Sequence, residues 1–212
     1  MSKKMMLLAL AVAAAALFAL PAAASAQELH ATNIAAFSGT SGAGTLTAEG
    51  EPTMSCETGH ISGTPSAGGT TGTVSFDFTN SRDSIFGAQC HTAGSALTNT
   101  IATKGTYHLV TLAGSKPGML GTAEKTTITC AGFFTITVQG NVLGTITSPA
   151  CGVESKSITM SFAATGSTQN HLEYTGVKYD LTTTTSGGTT KTAGLTASST
   201  ISQASANKLE CT

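Results

Sequence analysis

Tryptophan is absent from these 212 residues, arginine occurs once, at Arg82, and charged side chains make up only 10% of the chain. Each shortage excludes something. Nucleic-acid binding needs clustered Lys and Arg to displace counterions, so a chain without a basic patch is not expected to use that partner. No Cys-x-x-Cys occurs, which removes zinc ribbons and thioredoxin-like redox motifs. The histidines His30, His60, His91, His108 and His171 form no i, i+2 or i, i+4 pair and no His-Glu-x-x-His, so no metal and no cofactor is expected.

Catalytic constellations are equally scarce. A Gly-x-Ser-x-Gly elbow is missing, and GTSGAG (39–44) has the wrong spacing for one. Glycoside hydrolysis needs two carboxylates flanking the scissile bond. The carboxylates here are Asp77, Asp83, Asp180 and eight glutamates. Asp77 falls on the polar side of an expected strand, and Asp83 sits beside Arg82, placed for a local ion pair or a turn contact. Thr and Ser abound, but a hydroxyl without a base in reach is not a nucleophile. No catalytic residue is assigned.

What is present begins with an export signal. Lys3 and Lys4 precede an apolar stretch from Met5 to Leu20, and Ala24-Ser25-Ala26 supplies a small-residue cleavage pattern. Residues 1–26 are therefore read as a secretory signal peptide and 27–212 as a single all-β domain, exported to the extracellular side. No second long apolar run follows, so no integral membrane segment is expected after its removal. Without Lys3 and Lys4 the chain carries eight basic and eleven acidic side chains. With so little charge, Thr, Ser and Gly must carry the wetted surface.

Short runs rich in Thr, Val and Ile alternate and stop at Gly, Pro, Ser or Asn, the pattern of strands and turns. Strands are predicted at 29–37, 44–50, 72–79, 106–113, 125–131, 133–139 and 143–149, then at 156–166, 170–176, 177–184 and 190–202. In GTVSFDFT (72–79), Val74, Phe76 and Phe78 share one face; in KSITMSFAATG (156–166), Ile158, Met160 and Phe162 do the same. One dry and one wet face on about a dozen short strands predicts an antiparallel β-sandwich or a Greek-key barrel. Gly187-Gly188 reads as a hairpin turn or as part of a flexible polar loop. An outer-membrane barrel is not expected, because aromatic girdles and an apolar outer band are lacking.

All five cysteines (Cys56, Cys90, Cys130, Cys151 and Cys211) lie in the exported part and read as disulfides with one left over. A two-residue turn at Gly140-Asn141 would set Val138 against Leu143 and Cys130 against Cys151, within disulfide reach. Closing that loop would add roughly 3 kcal/mol in the chain-entropy model. A four-residue turn at Asn141 to Gly144 would spoil the register. Among Cys56, Cys90 and Cys211, three single bridges are open.

SIFGAQC (84–90), YHLVTLAGSKPG (107–118), GNVLGTITSPACG (140–152) and TMSFAATG (159–166) together resemble the uncharacterised Thr- and Gly-rich secreted β proteins of environmental bacteria. The resemblance rests on turns and cysteines, so it implies a stapled β fold and no particular activity. Members of that group often carry a cysteine after the strand that precedes the SIFG segment. Ser81 stands at that place here, which accounts for an odd count. The pairing favoured alongside this resemblance is Cys56 with Cys90, leaving Cys211 as a free thiol.

Three functions follow in order. The first is a secreted, non-enzymatic β-domain with a structural or surface-interaction role. The second is a binder of a small apolar ligand between sheets or in a barrel, and the third is a secreted hydrolase. Carbohydrate recognition through aromatic platforms would have only Tyr107, Tyr174 and Tyr179 to work with. The pairs Thr45/Thr47, Thr71/Thr73, Thr127/Thr129, Thr135/Thr137 and Thr145/Thr147 each share a sheet face. They form rows facing ice, a cell surface or a polymer partner, or simply satisfy strand propensity on wet faces.

Overall fold

The structure, a computed structural model, describes residues 29–95, 98–131, 134–170, 174 and 179–211. The signal segment, His171 and most of the strand expected at 170–176 lie outside the described residues, as does the start of the one expected at 177–184.

Among the described residues there are sixteen strands and no helix. In chain order they begin with β1 (His30–Thr32), β2 (Phe37–Ser41), β3 (Gly44–Ala48), β4 (Met54–Cys56), β5 (Thr58–Pro65) and β6 (Thr71–Thr79). Next come β7 (Arg82–Asp83), β8 (Cys90–Thr92), β9 (Ile101–Leu112), β10 (Lys116–Cys130) and β11 (Phe134–Ser148). The last are β12 (Glu154–Phe162), β13 (Ala164–Thr165), β14 (Thr168–Gln169), β15 (Leu181–Thr185) and β16 (Thr190–Glu210).

Eight of these, β2, β5, β6, β9, β10, β11, β12 and β16, pair antiparallel in chain order, and β16 then pairs β2 to close the ring. This is an up-and-down barrel, which corrects the expectation of a sandwich or a Greek-key path. Alternation of dry and wet residues is common to all three. The difference comes from strand length, because β9, β10, β11 and β16 run for 12, 15, 15 and 21 residues. Long twisted strands coil far enough for the first to meet the last, and no edge remains.

Beyond this ring β10, β11 and β16 keep going and exchange partners. Here β11 pairs β15, β15 pairs β16, and β16 pairs β3, which continues to β4 and β7. Arg82 bridges to Gln89, Cys90 N–H donates to Ser81 O at 2.9 Å, and β8 returns to β10. A second ring is thus stacked on the first. Where a long strand changes partner, the sheet forks. At the fork between β12 and β15 the buried Gln169 stands in for a strand: its amide accepts from Leu195 N–H at 2.9 Å and donates to Leu195 O at 3.2 Å.

The same continuity overturns the turn at Gly140-Asn141. Both residues lie inside β11, where Gly140 pairs with Ala123 on one side and Leu181 on the other. Gly140 has φ +118°, and a Cβ there would stand 2.5 Å from Asp180 O. Glycine permits the close approach where β11 passes from β15 towards β12; it bends a strand and does not reverse it. The actual reversal lies just past Cys130, which pairs across to Phe134.

The cysteine pairing changes accordingly. Cys130 is bonded to Cys90, not Cys151, because the two face one another across β8 and β10 with Cα atoms 4.0 Å apart. Cys151 is bonded to Cys211, which is therefore not free; this bridge ties the end of β16 to the bend after β11. The expected Cys56–Cys90 bridge is absent, and Cys56 is the free thiol.

Face assignments within strands agree with the alternation. Val74, Ile158, Met160 and Phe162 are buried in the interior, and Phe76 and Phe78 pack against it with stacked rings 5.8 Å apart. The turn at 186–189 contains Gly188 with φ +81°, its N–H donating to Thr185 O, so the hairpin reading of that tract holds. Glycine also sets how closely strands approach. A Cβ on Gly105 would collide with the carbonyl oxygen of Thr122 on β10. Gly105→Ala is expected to lower the unfolding free energy by about 1–3 kcal/mol, read from the denaturant midpoint at unchanged slope.

Candidate functional site

Eight strands leave an interior just wide enough for side chains to fill or for one small ligand. Here they do not quite fill it. A cavity of about 110 Å³ lies at the junction of the two rings. The lower ring contributes Val74, Phe76, Met119, Val142 and Phe162 to its wall, and the upper ring contributes Leu46, Met54, Ile128, Val138 and Leu181. The wall is almost wholly apolar.

The cavity exists because of a fork. Up to Ala123, β10 pairs with β9; from Ile128 it pairs with β8 instead. Between them the wall is closed by side chains, with Thr103 and Thr126 hydroxyls 2.8 Å apart and Thr92 Oγ1 accepting from Ala102 N–H at 2.9 Å. Thr103, Lys104, Ala123 and Thr126 all border the cavity at this place. Lys104 is exposed and, among the described residues, is the one charged residue of the lining.

Cys56 also borders the cavity. Ser81 is fully buried, and its hydroxyl lies 2.9 Å from Cys56 Sγ and 3.1 Å from Phe78 O. Ser81 therefore faces the one cysteine without a disulfide. Burial pushes the Cys56 thiol above its ordinary range and outweighs the lowering by Ser81. A thiol kept protonated is a weak nucleophile at neutral pH. Tyr107, buried in the core, is likewise pushed up to about 12 by burial, so its phenol neither gives nor takes a proton under ordinary conditions.

Asp83 is buried and makes the turn contact allowed for it rather than a bond to its neighbour Arg82. Its carboxylate accepts from Ile85, Phe86 and Ala88 N–H at 3.0, 2.7 and 2.7 Å, while Arg82 donates to Gly87 O at 3.2 Å. Desolvation opposes its charge, but the backbone donors prevail and hold it below the usual carboxylate range. This organises the SIFG segment and leaves Ile85 and Phe86 well exposed.

On the outside, the hydroxyl side chains stand in register. Ser157, Ser202, Ser38, Ser62 and Ser75 are successive partners across β12, β16, β2, β5 and β6. Thr64, Thr73, Thr106 and Thr122 form the next row across β5, β6, β9 and β10, all four exposed, and Thr122 Oγ1 donates to Asn141 Oδ1 at 2.7 Å. Around the second ring runs Thr127, Thr137, Thr184 and Thr190. All five Thr-x-Thr pairs point outward, alternating with neighbours that are buried or, at Leu46, half-buried. Sequence reading found the pairs along each strand but missed their alignment between strands, since register is set by partners far away in the chain.

The four described histidines form no metal-sized cluster. His30 and His60 are exposed, His91 and His108 half-buried, and among the described residues no three His, Cys, Asp or Glu side chains come close enough to share a metal. Tyr174 is buried in a small outer cluster with Val110, Leu112 and Leu143, beside the half-buried Tyr179, so neither it nor Tyr107 forms an exposed aromatic platform. No family model, no curated protein and no solved structure matches this chain.

Two outcomes are expected. Ser81→Cys should join Cys56 in a third disulfide, reducing the free-thiol count to zero and stabilising the protein by about 3 kcal/mol in the loop-entropy model; two titratable thiols would refute the pairing. Because the folded pKa of Asp83 is lowered, its contribution is present above the unfolded carboxylate range and lost as pH falls through the folded value. Acid titration of stability should therefore show a shallower fall for Asp83→Asn than for the parent.

Proposed function

We propose that the protein is a secreted, non-catalytic domain that adheres to an uncharged hydroxylated polymer through its outer coat. The observation that carries this reading is the alignment of like residues into rows, five serines in one and four threonines in each of two others. Neighbouring strands lie about 4.8 Å apart and alternate residues about 6.7 Å apart. Each hydroxyl both donates and accepts, so the coat suits a surface that carries hydroxyls of its own. A single such bond contributes only about 0.5–1.5 kcal/mol, and many held on one rigid body act together.

Curvature selects among the surfaces such rows fit. On a closed barrel each row wraps around the wall, so a flat crystal face meets only a strip of it, whereas a polymer chain can follow the bend. Hydroxyls predominate along the rows, of which only the serine row runs on into a charge, from Ser75 to Lys104. This sets the experimental signature, because hydroxyl contacts are not screened by salt as ion pairs are. Two disulfides, and no helix among the described residues long enough to cross a membrane, accord with a protein working outside the cytoplasm.

Co-sedimentation with insoluble chitin, cellulose and β-glucan tests this. Retention on at least one should persist at about 1 M salt, where the Debye length is about 3 Å. Thr73→Lys combined with Thr106→Lys should reduce it about tenfold, the equivalent of one good hydrogen bond. Failure to sediment with all three, or release by salt alone, would defeat the proposal.

A further inference from the structure

We propose that the cavity between the two rings binds the tail of a short, unbranched aliphatic carboxylate, whose head emerges beside Lys104 at the fork between β9 and β10. Five observations converge on that chemistry. The void of about 110 Å³ has room for about four groups the size of a water, at about 30 Å³ each. It is thus close to the roughly 150 Å³ apolar cavity known to take up benzene or xenon, and smaller than the roughly 300 Å³ at which drug-sized sites begin. A ring system with substituents is excluded by size; the end of a thin chain is not.

The lining decides the polarity. Met54, Met119, Phe76, Ile128 and Leu181 offer no hydrogen bond, so a polar group inside would lose its water without replacement. Any polar head must stay at the rim. The rim lies at the fork, where side-chain contacts between Thr103 and Thr126 replace the backbone ladder. Hydroxyls can part without breaking a strand pair, so this is the weakest place in the wall. Among the described residues bordering the cavity, Lys104 is the only charged one. It shares the outer face with its partner Ser75, so its ammonium stands outside the wall where a head group would emerge and there favours an anion over a cation. The two methionines in the wall are unbranched and adaptable, suited to close around a chain.

This site lies inside the barrel and does not depend on the outer rows, so either proposal can fail alone. The probe is hexanoate, titrated into the full exported chain labelled with carbon-13 at methionine methyls. Met54 and Met119 are buried in the wall, and their signals should move together and saturate. Hexylammonium, with the same tail and the opposite charge, should bind about two- to fivefold more weakly, the range of an exposed ion pair. Acetate, which lacks the tail, should leave both signals in place. Lys104→Glu alters only an exposed position and should reverse the preference between hexanoate and hexylammonium. Unmoved Met54 and Met119 signals at saturating hexanoate would overturn the site; equal binding of both charges, or no reversal in Lys104→Glu, would overturn the role of Lys104.

Discussion

The pairing of β16 with both β12 and β2 is the constraint on which the remainder depends. A sheet of seven strands would present two open edges of unpaired N–H and C=O groups, each a template for aggregation. The final strand removes both at once. Closure also determines inside and outside for every residue of the ring, and therefore which side chains meet water. The bonds that hold the C-terminal end of β16 in place, through Leu209 to Gly152 and through Cys211 to Cys151, secure that strand further.

Closure has a consequence for composition. Inward positions need bulk in some places and nearly none in others. Phe162 lies over Gly144, a Cβ on which would stand 2.7 Å from the ring, and Phe37 occupies the space left by Gly63. Outward positions need only to be wet and β-compatible, which Thr satisfies without charge. The result is the inverse of a membrane-spanning barrel, apolar within and hydroxylated without. The cavity is the remainder of this arrangement. It lies where strands change partner and no single layer of side chains spans the gap.

Much of this was legible along single strands. The inward set Val74, Phe76 and Phe78 and the set Ile158, Met160 and Phe162 follow from period-two alternation, which reports a face without reference to any partner. The surplus of one thiol was also readable, but not which thiol it is: Cys211, expected to be free, is bonded to Cys151, and Cys56 is the one left over. The register was not readable. Gly140-Asn141 has the composition of a turn, yet the strand continues through it because β15 and β12 supply partners on either side, and local composition carries no trace of them. Once that turn was misplaced, Cys130 had to be misassigned, since its true partner lies on β8, 40 residues earlier.

The sequence by itself determined the class of structure, the face that side chains take along single strands and the number of sulfur atoms available. These are properties of neighbours in the chain, governed by sterics and polarity at short range. Only the tertiary structure decided that the sheet closes, which thiols meet, that hydroxyls align in rows and that a void remains between rings. Each of those depends on distances between residues tens of positions apart, and such distances are settled by the energy of the whole assembly rather than by any segment of it.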